Sequence, residues 1–194
     1  ATGARSRQLP NLPQDDKNII GYRRAMTMEK QPKRLVVVGS GAIGVEFAYF
    51  YNAMGTEVTV VEYMPNIVPV EDIDVSKQLE KSFKKQGIKV MTNSSVEKVD
   101  LTSKGCSVTI KTKKGEEKIE CDVVLSAVGI VANLENIGLE EVGIATDKGK
   151  ILVNENYQTN IPGYYAIGDC TPGAALAHVA SAEGIICVEA IAGH

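Results

Sequence analysis

The feature that most constrains the fold is a glycine-rich turn between a short apolar run and a helix-forming segment. Arg34 is followed by the short apolar run Leu35-Val36-Val37-Val38, which leads into Gly39-Ser40-Gly41-Ala42-Ile43-Gly44. Residues 42–54 are good helix formers, and Gly55 stands where a helix takes its left-handed C-terminal residue. A second predicted strand at 57–62 completes a passage of about thirty residues, the size of one βαβ unit. This pattern predicts an α/β fold with a buried parallel sheet.

The rest of the chain extends this unit and inserts a segment of different period. Between residues 95 and 120 the apolar period shifts towards two, which predicts a small antiparallel meander. The other predicted elements are, in chain order, a helix that begins after Asp74 and ends at Gly87, strands at 88–91, 123–128, 151–153 and 164–167, and a helix at 174–192. Residues 6–32 are rich in proline and polar residues and are predicted to be a connector. The fold class is therefore α/β, a Rossmann-like parallel sheet with an inserted antiparallel β-meander.

Composition argues against two classes of partner. The 194 residues carry a net charge of −3, and the one basic cluster, at 111–114, is followed at once by acidic residues. Such a cluster is typical of the solvated tip of a hairpin, so no nucleic-acid partner is predicted. No apolar stretch approaches the roughly 18–20 residues that would span a bilayer, so no membrane partner is predicted either.

Cysteine and histidine spacing gives no sign of a metal site. Cys106, Cys121, Cys170 and Cys187 form no CxxC pair, and His178 and His194 have no Cys or acidic residue at ligand spacing. Cys106 and Cys121 flank the predicted hairpin turn almost symmetrically, so they could be neighbours on paired strands. Free thiols and a reducing, cytoplasmic location are the expectation.

The glycine-rich turn also predicts a site for a dinucleotide. Gly39 permits the tight turn, Gly41 lets the backbone approach a pyrophosphate, and Gly44 lets the helix pack closely on the strand. The first helical residues, Ala42 and Ile43, offer free amide groups and a partial positive charge of about half a unit to the anion. A turn that serves packing alone remains a less favoured alternative.

Glu62 decides which dinucleotide is expected. It lies about twenty residues after the turn, where a carboxylate can accept hydrogen bonds from ribose hydroxyls. The same carboxylate would repel a 2′-phosphate, and no arginine follows it closely, so NAD is preferred over NADP. Sites for S-adenosylmethionine share the turn and the acidic residue, but they would not explain the meander or the C-terminal segment.

Two outlying segments resemble those of a known family. Tyr164-Tyr165-Ala166-Ile167-Gly168-Asp169 resembles the second flavin signature of the disulfide reductases with two dinucleotide folds, and Ala1-Thr2-Gly3 resembles that family's ATG segment. The resemblance implies that Thr2, Gly3 and Asp169 contact FAD. It also implies three regions: 1–32 as the end of the FAD domain and a connector, 33–148 as the NAD-binding domain, and 149–194 as the return segment of the FAD domain.

Within that family the chain resembles the dihydrolipoamide dehydrogenases, because residues 176–184 read Leu-Ala-His-Val-Ala-Ser-Ala-Glu-Gly. The resemblance implies that Ala177 contacts the flavin, that Glu46 faces the flavin and the nicotinamide, that Gly129 passes near the nicotinamide, and that Val96 lies beside the adenine. Two alternatives stay open. His178 could be an ordinary residue at a helix start, and Glu46, placed in the first turn of its helix, could serve only the macrodipole.

One departure from the family limits what can be carried over. Many relatives have Arg-Arg-Pro-Asn after the glycine at position 129, whereas this chain has Ile130-Val131-Ala132-Asn133. No arginine contact from that motif is transferred.

The resemblance implies an enzyme that oxidises dihydrolipoamide through a redox-active disulfide and FAD and reduces NAD. Its partner would be the lipoyl-bearing acyltransferase of a 2-oxoacid dehydrogenase or glycine cleavage complex, and the full-length enzyme would be a homodimer. The chain starts without Met and has no cysteine pair at CxxxxC spacing, so we expect a piece of the enzyme that is inactive alone. The alternatives are an NADH oxidase, a mercuric or other disulfide reductase of the same fold, and a non-catalytic NAD-binding module.

Overall fold

The computed structural model describes all 194 residues and contains twelve strands and five α-helices. The strands are β1 (Ala4–Ser6), β2 (Ile19–Ile20), β3 (Arg34–Val38), β4 (Glu57–Val61), β5 (Lys89–Met91), β6 (Ser95–Thr102), β7 (Gly105–Thr112), β8 (Gly115–Cys121), β9 (Val123–Ser126), β10 (Ile130–Ala132), β11 (Thr146–Asp147) and β12 (Lys150–Ile151). The helices are α1 (Tyr22–Ala25), α2 (Ala42–Ala53), α3 (Ile73–Lys85), α4 (Leu139–Val142) and α5 (Ala177–Ala192), and a short 3₁₀ turn spans Gly168–Cys170.

Five strands form the main sheet in the order β2-β9-β3-β4-β5, and all four pairings are parallel. Strand β3 lies at the centre because its side chains are apolar on both faces, with Leu35, Val36 and Val37 each at most 1% exposed. The crossover from β3 to β4 is α2. The predicted α/β class with a parallel sheet is confirmed.

The meander formed by β6, β7 and β8 is antiparallel, as predicted. It packs on one face of the main sheet, where Val108 and Ile110 of β7 join Val36 and Val124 in one buried cluster. Cys106 and Cys121 are direct partners across β7 and β8. Both thiols are free and buried. A hydrogen bond with Cys121 lowers the pKa of Cys106, and the same contact raises the pKa of Cys121.

The chain divides into two compact units, a large unit of Ser6–Gly129 and a small unit of Ala1–Arg5 with Ile130–His194. The boundaries of these units, after residues 5 and 129, differ from the predicted domain boundaries after residues 32 and 148. The assignment of these segments to NAD and FAD domains stays a prediction.

Residues 6–32 are more than the predicted connector. They contribute β2, which pairs in parallel with β9, and helix α1. Asp15 organises the approach to β2, since its Oδ1 accepts hydrogen bonds from the backbone N–H groups of Lys17, Asn18 and Ile19 at 2.9, 2.7 and 2.8 Å. The strand has only two residues and is too short to show a period in sequence.

Three further predictions were wrong, two on where a helix begins and one on a strand. The side chain of Asp72, rather than Asp74, caps α3 by accepting from the Asp74 N–H. Residues 164–167 form no strand, and only Tyr165 makes an isolated bridge, to Gln158. Helix α5 begins at Ala177, three residues later than predicted, because Leu176 is extended (φ −130°, ψ 137°).

The small unit has its own core, formed by Ala132, Ile151, Ala166 and Cys170. Two short ladders, β1 with β10 and β11 with β12, contribute Ala132 and Ile151 to it, and helix α5 contacts the 3₁₀ turn that carries Cys170. None of the helices combines the length and the apolar character needed to cross a membrane.

Candidate functional site

The glycine-rich turn lies at the carboxyl end of β3, and two of its glycines are required by the fold. Gly39 has φ +94°, and a Cβ atom there would lie 2.5 Å from the carbonyl oxygen of Ala127. A Cβ atom on Gly44 would lie 2.1 Å from the carbonyl oxygen of Gly39. Contacts this close exclude any side chain, so the turn and the start of α2 pack backbone to backbone.

Gly41 differs from these two glycines because nothing in the chain requires it. Its φ of −67° is accessible to any residue, and a Cβ atom there would meet no atom within 4 Å. Gly41 is also the N-cap of α2, and no side chain caps this helix. The N–H groups of Ala42 and Ile43 therefore have no intrahelical acceptor, and the space beside Gly41 is open. The geometry fits an anion that approaches the backbone closely.

Glu62 lies at the same edge of the sheet. Strands β3 and β4 are parallel neighbours with Val38 opposite Val61, so the residues that follow them come together. Glu62 is 7% exposed. Its Oε2 accepts hydrogen bonds from the backbone N–H and the hydroxyl of Ser40 at 2.8 and 2.6 Å, and its Oε1 accepts one from the N–H of Met64 at 2.7 Å.

The hydrogen bonds between Ser40 and Glu62 were not predicted from the sequence. One pattern could have indicated this hydrogen bond. The glycine motif contains a residue with a hydroxyl group, and an acidic residue follows the next strand.

Val96 and Gly129 lie near the same edge. The N–H of Ser94, two residues before Val96, donates to the carbonyl of Glu62 at 2.9 Å. Val96 itself is 7% exposed and belongs to the core beneath the meander. Gly129 follows β9 by three residues, has φ +108°, and accepts at its carbonyl from the N–H of Arg7 at 3.0 Å.

Glu46 lies further along α2 than predicted. It is the fifth residue of the helix, and no acidic residue stands in the first turn. The idea that it serves the macrodipole from the first turn is therefore wrong. Its exposed side chain lies beside an open hollow of about 340 Å³, lined also by Ala25, Met26, Phe47 and Phe50.

The residues assigned to FAD all lie in the small unit. Asp169 is partly exposed in the 3₁₀ turn, where its carbonyl accepts from Lys150 while its carboxylate accepts no hydrogen bond. Ala177 is the exposed first residue of α5, which has no side-chain cap. A free carboxylate and an uncapped helix start fit one side of a ligand that carries hydroxyls and phosphates.

Thr2 and Gly3 are held by Asn133 of the same unit. The Asn133 side-chain amide donates to the carbonyl of Thr2 at 3.0 Å, and its backbone N–H donates to the carbonyl of Gly3 at 2.9 Å. His178 is exposed beside Ala177 at the start of α5. The structure holds no group of three or more His, Cys, Asp or Glu side chains that could bind a metal ion.

Comparison with known proteins places these features in a family. Residues 1–184 match the family model described as pyridine nucleotide-disulphide oxidoreductase. The chain is 45% identical over 194 residues to the dihydrolipoyl dehydrogenase of Rhizobium etli, covering 100% of this chain and 40% of that protein. Identity to the dihydrolipoyl dehydrogenase of Zymomonas mobilis is also 45% over 194 residues, which is all of this chain and 42% of that protein.

A solved structure shows the same arrangement. The crystal structure of LpdA from Mycobacterium tuberculosis superposes with a TM-score of 0.90 at 36% identity, covering 100% of this chain and 42% of that chain. The chain thus spans about 40% of the length of the curated relatives that it matches.

Proposed function

The chain belongs to the pyridine nucleotide-disulphide oxidoreductase family, and from this premise we propose that it is the NAD-binding part of a dihydrolipoyl dehydrogenase. The observation that carries the proposal is the open space at Gly41. Gly39 and Gly44 are glycine because the fold leaves no room for a side chain, whereas at Gly41 neither packing nor the backbone conformation excludes a side chain. A ligand that touches the backbone there supplies the reason for a glycine.

In this proposal the large unit binds NAD along the carboxyl edge of its sheet. The N–H groups of Ala42 and Ile43 donate to the pyrophosphate, with the positive end of the α2 dipole behind them. Glu62 accepts from the ribose of the adenosine half, and this buried carboxylate disfavours a 2′-phosphate. Val96 lies beside the adenine and Gly129 beside the nicotinamide.

The small unit contributes to a flavin site in the same proposal. Asp169 accepts from the ribityl and pyrophosphate region, the start of α5 at Ala177 stabilises negative charge on the flavin, and Thr2 and Gly3 contact FAD through their backbone. Glu46 faces the flavin and the nicotinamide from α2. FAD, when bound, supplies the electron transfer between a redox-active disulfide and NAD.

The proposed partners follow from the activity. We propose that the complete enzyme is a cytoplasmic homodimer that oxidises the dihydrolipoyl group of an acyltransferase in a 2-oxoacid dehydrogenase or glycine cleavage complex. The 45% identity to two dihydrolipoyl dehydrogenases supports this choice within the family. The chain has no cysteine pair at CxxxxC spacing, so the redox disulfide is not among its residues.

Calorimetric titration of the purified chain with NADH and with NADPH tests the nucleotide assignment. Saturable binding of NADH at one site per chain, tighter than that of NADPH, is the expected result. Tighter binding of NADPH, or no binding of either nucleotide, would contradict the proposal.

A further inference from the structure

Ser40, at the second position of the glycine motif, is hydrogen-bonded to Glu62 twice. Its backbone N–H and its hydroxyl both donate to the same oxygen, Oε2 of Glu62, at 2.8 and 2.6 Å. Ser40 is wholly buried, and Glu62 is 7% exposed. A charged acceptor in so buried a place makes these hydrogen bonds short and strong.

The hydrogen bonds leave Glu62 one free position. A carboxylate offers about four acceptor positions, two on each oxygen. Ser40 fills both positions on Oε2, and the N–H of Met64 fills one on Oε1 at 2.7 Å. The remaining acceptor position is on Oε1.

We propose that Ser40 is a positioning residue that holds the Glu62 carboxylate with Oε1 towards the ribose of NAD and thereby sets the preference for NAD over NADP. This inference rests on the proposed function. The Ser40 hydroxyl does not touch the nucleotide, and it acts by stopping rotation of the carboxylate. A fixed negative charge repels a 2′-phosphate more effectively than one that can turn away.

The glycine motif does not require a residue with a hydroxyl group at position 40. The glycine pattern constrains positions 39, 41 and 44, and the backbone N–H of any residue at position 40 could reach Glu62. Ser40→Ala therefore removes one hydrogen bond and leaves the backbone contact, the charge and nearly all of the volume. The Ser40 carbonyl, which accepts from the N–H of Val68 at 3.0 Å, is also retained.

The test is a double-mutant cycle of Ser40→Ala and Glu62→Gln, read by fluorescence titration with NADH and with NADPH. We expect Ser40→Ala to weaken NADH binding by about 3- to 10-fold and to narrow the ratio of the two dissociation constants. This is less than the loss of a direct hydrogen bond to a charged group would give, because the hydroxyl acts on the nucleotide only through Glu62. In the Glu62→Gln background, Ser40→Ala should change the dissociation constants of NADH and NADPH by no more than about twofold. The reason is that Ser40 acts through Glu62, so the effects of the two substitutions are not additive. Ser126→Ala is the matched control, since Ser126 is a buried serine at the end of β9 whose hydroxyl has no hydrogen-bond partner.

A second measurement needs no variant. On the wild-type chain, the amide proton of Ser40 should keep its protection from hydrogen exchange when NADH saturates the site, since Oε2 stays bound to Ser40. Loss of that protection would show that the ribose displaces Ser40.

The outcomes separate the two proposals. Tighter NADH binding by Ser40→Ala would mean that the hydroxyl competes with the ribose, and equal effects in both backgrounds would mean that Ser40 serves only packing; either result overturns the role of Ser40 alone. A wild-type chain that binds neither nucleotide overturns the proposed function and this role together.

Discussion

A Cβ atom on Gly44 would lie 2.1 Å from the carbonyl oxygen of Gly39, so these two residues join α2 to the end of β3 through their backbones. We expect Gly44→Ala to lower the free energy of unfolding by roughly 1–3 kcal/mol or more, because backbone must move to make room. Urea denaturation followed by circular dichroism measures this. Gly41→Ala is the control and should cost less than about 1 kcal/mol, since its Cβ meets open space. Equal losses would contradict the packing argument.

Gly41→Val should separate binding from folding. Its side chain would enter the space in front of the Ala42 and Ile43 amide groups, so we expect NADH affinity to fall about tenfold or more, which is about 1.4 kcal/mol or more. The free energy of unfolding should fall by no more than about 1 kcal/mol, the cost of a poorer N-cap residue. Ala53→Val, which adds the same branched side chain at the exposed far end of α2, is the control for helix propensity. Unchanged NADH binding by Gly41→Val would remove the main support for a pyrophosphate at this turn.

Replacing Glu62 by Ala should weaken NADH binding by roughly 1.5–3 kcal/mol, the range for a charge-assisted hydrogen bond. NADPH binding should change less, so the preference between the two nucleotides narrows. Titration of both nucleotides into both proteins measures the effect. Glu57→Ala removes an exposed acid at the other end of the same strand and should leave the preference as it is. If Glu62→Ala still prefers NADH over NADPH to the same extent as wild type, another residue sets the preference.

Asp15 should make the stability of the large unit depend on pH in acid. Partial burial raises the pKa of Asp15, but hydrogen bonds from the backbone N–H groups of Ile19, Lys17 and Asn18 outweigh it and lower the pKa to about 2. A lowered folded-state pKa stabilises the fold above the ordinary value of 3.8, and this contribution is lost as the pH falls from about 5 through the folded pKa of about 2. Because Asp15 is exposed, solvent screening limits the effect to about 1 kcal/mol or less.

The measurement compares the chemical denaturation of wild type, Asp15→Asn and Asp16→Asn at several pH values. The free energy of unfolding of Asp15→Asn should lie below that of wild type by the full amount above about pH 5, and this difference should disappear only below about pH 2. Asp16→Asn should follow wild type. A difference that is independent of pH would show that Asp15 acts through packing instead of charge.

The 194-residue chain should hold little FAD when purified. Thr2, Gly3, Asp169 and Ala177 are proposed to form only one side of a flavin site. The glycine-rich motif of the chain, which could bind a second pyrophosphate, is the one proposed for NAD. The preparation should be colourless, with no flavin absorption band after gel filtration. It should also show no dihydrolipoamide-dependent reduction of NAD. A yellow protein with stoichiometric FAD, or turnover above the buffer blank, would contradict this expectation.

The parallel sheet, the turn at its edge and the meander could be predicted because each depends on a pattern of residues that are close together in the chain. The valine runs of β3 and β4 bury both faces, and Gly39 begins a turn that few other residues allow. The shift to a period of two marks the meander through which Cys106 and Cys121 become partners. Periodicity and turn chemistry depend on neighbouring residues, so a single sequence contains them.

Tertiary structure alone decided the rest. Ile19 and Ile20 are a strand only because β9 offers an edge to pair with, and Asp72 caps α3 although Asp74 fits the pattern equally well. The contact between Ser40 and Glu62 spans 22 positions and forms because two parallel strands end side by side. The physical reason is that the sequence by itself sets which residues can form a strand, a turn or an acceptor, whereas the partner that each one meets depends on how distant segments pack.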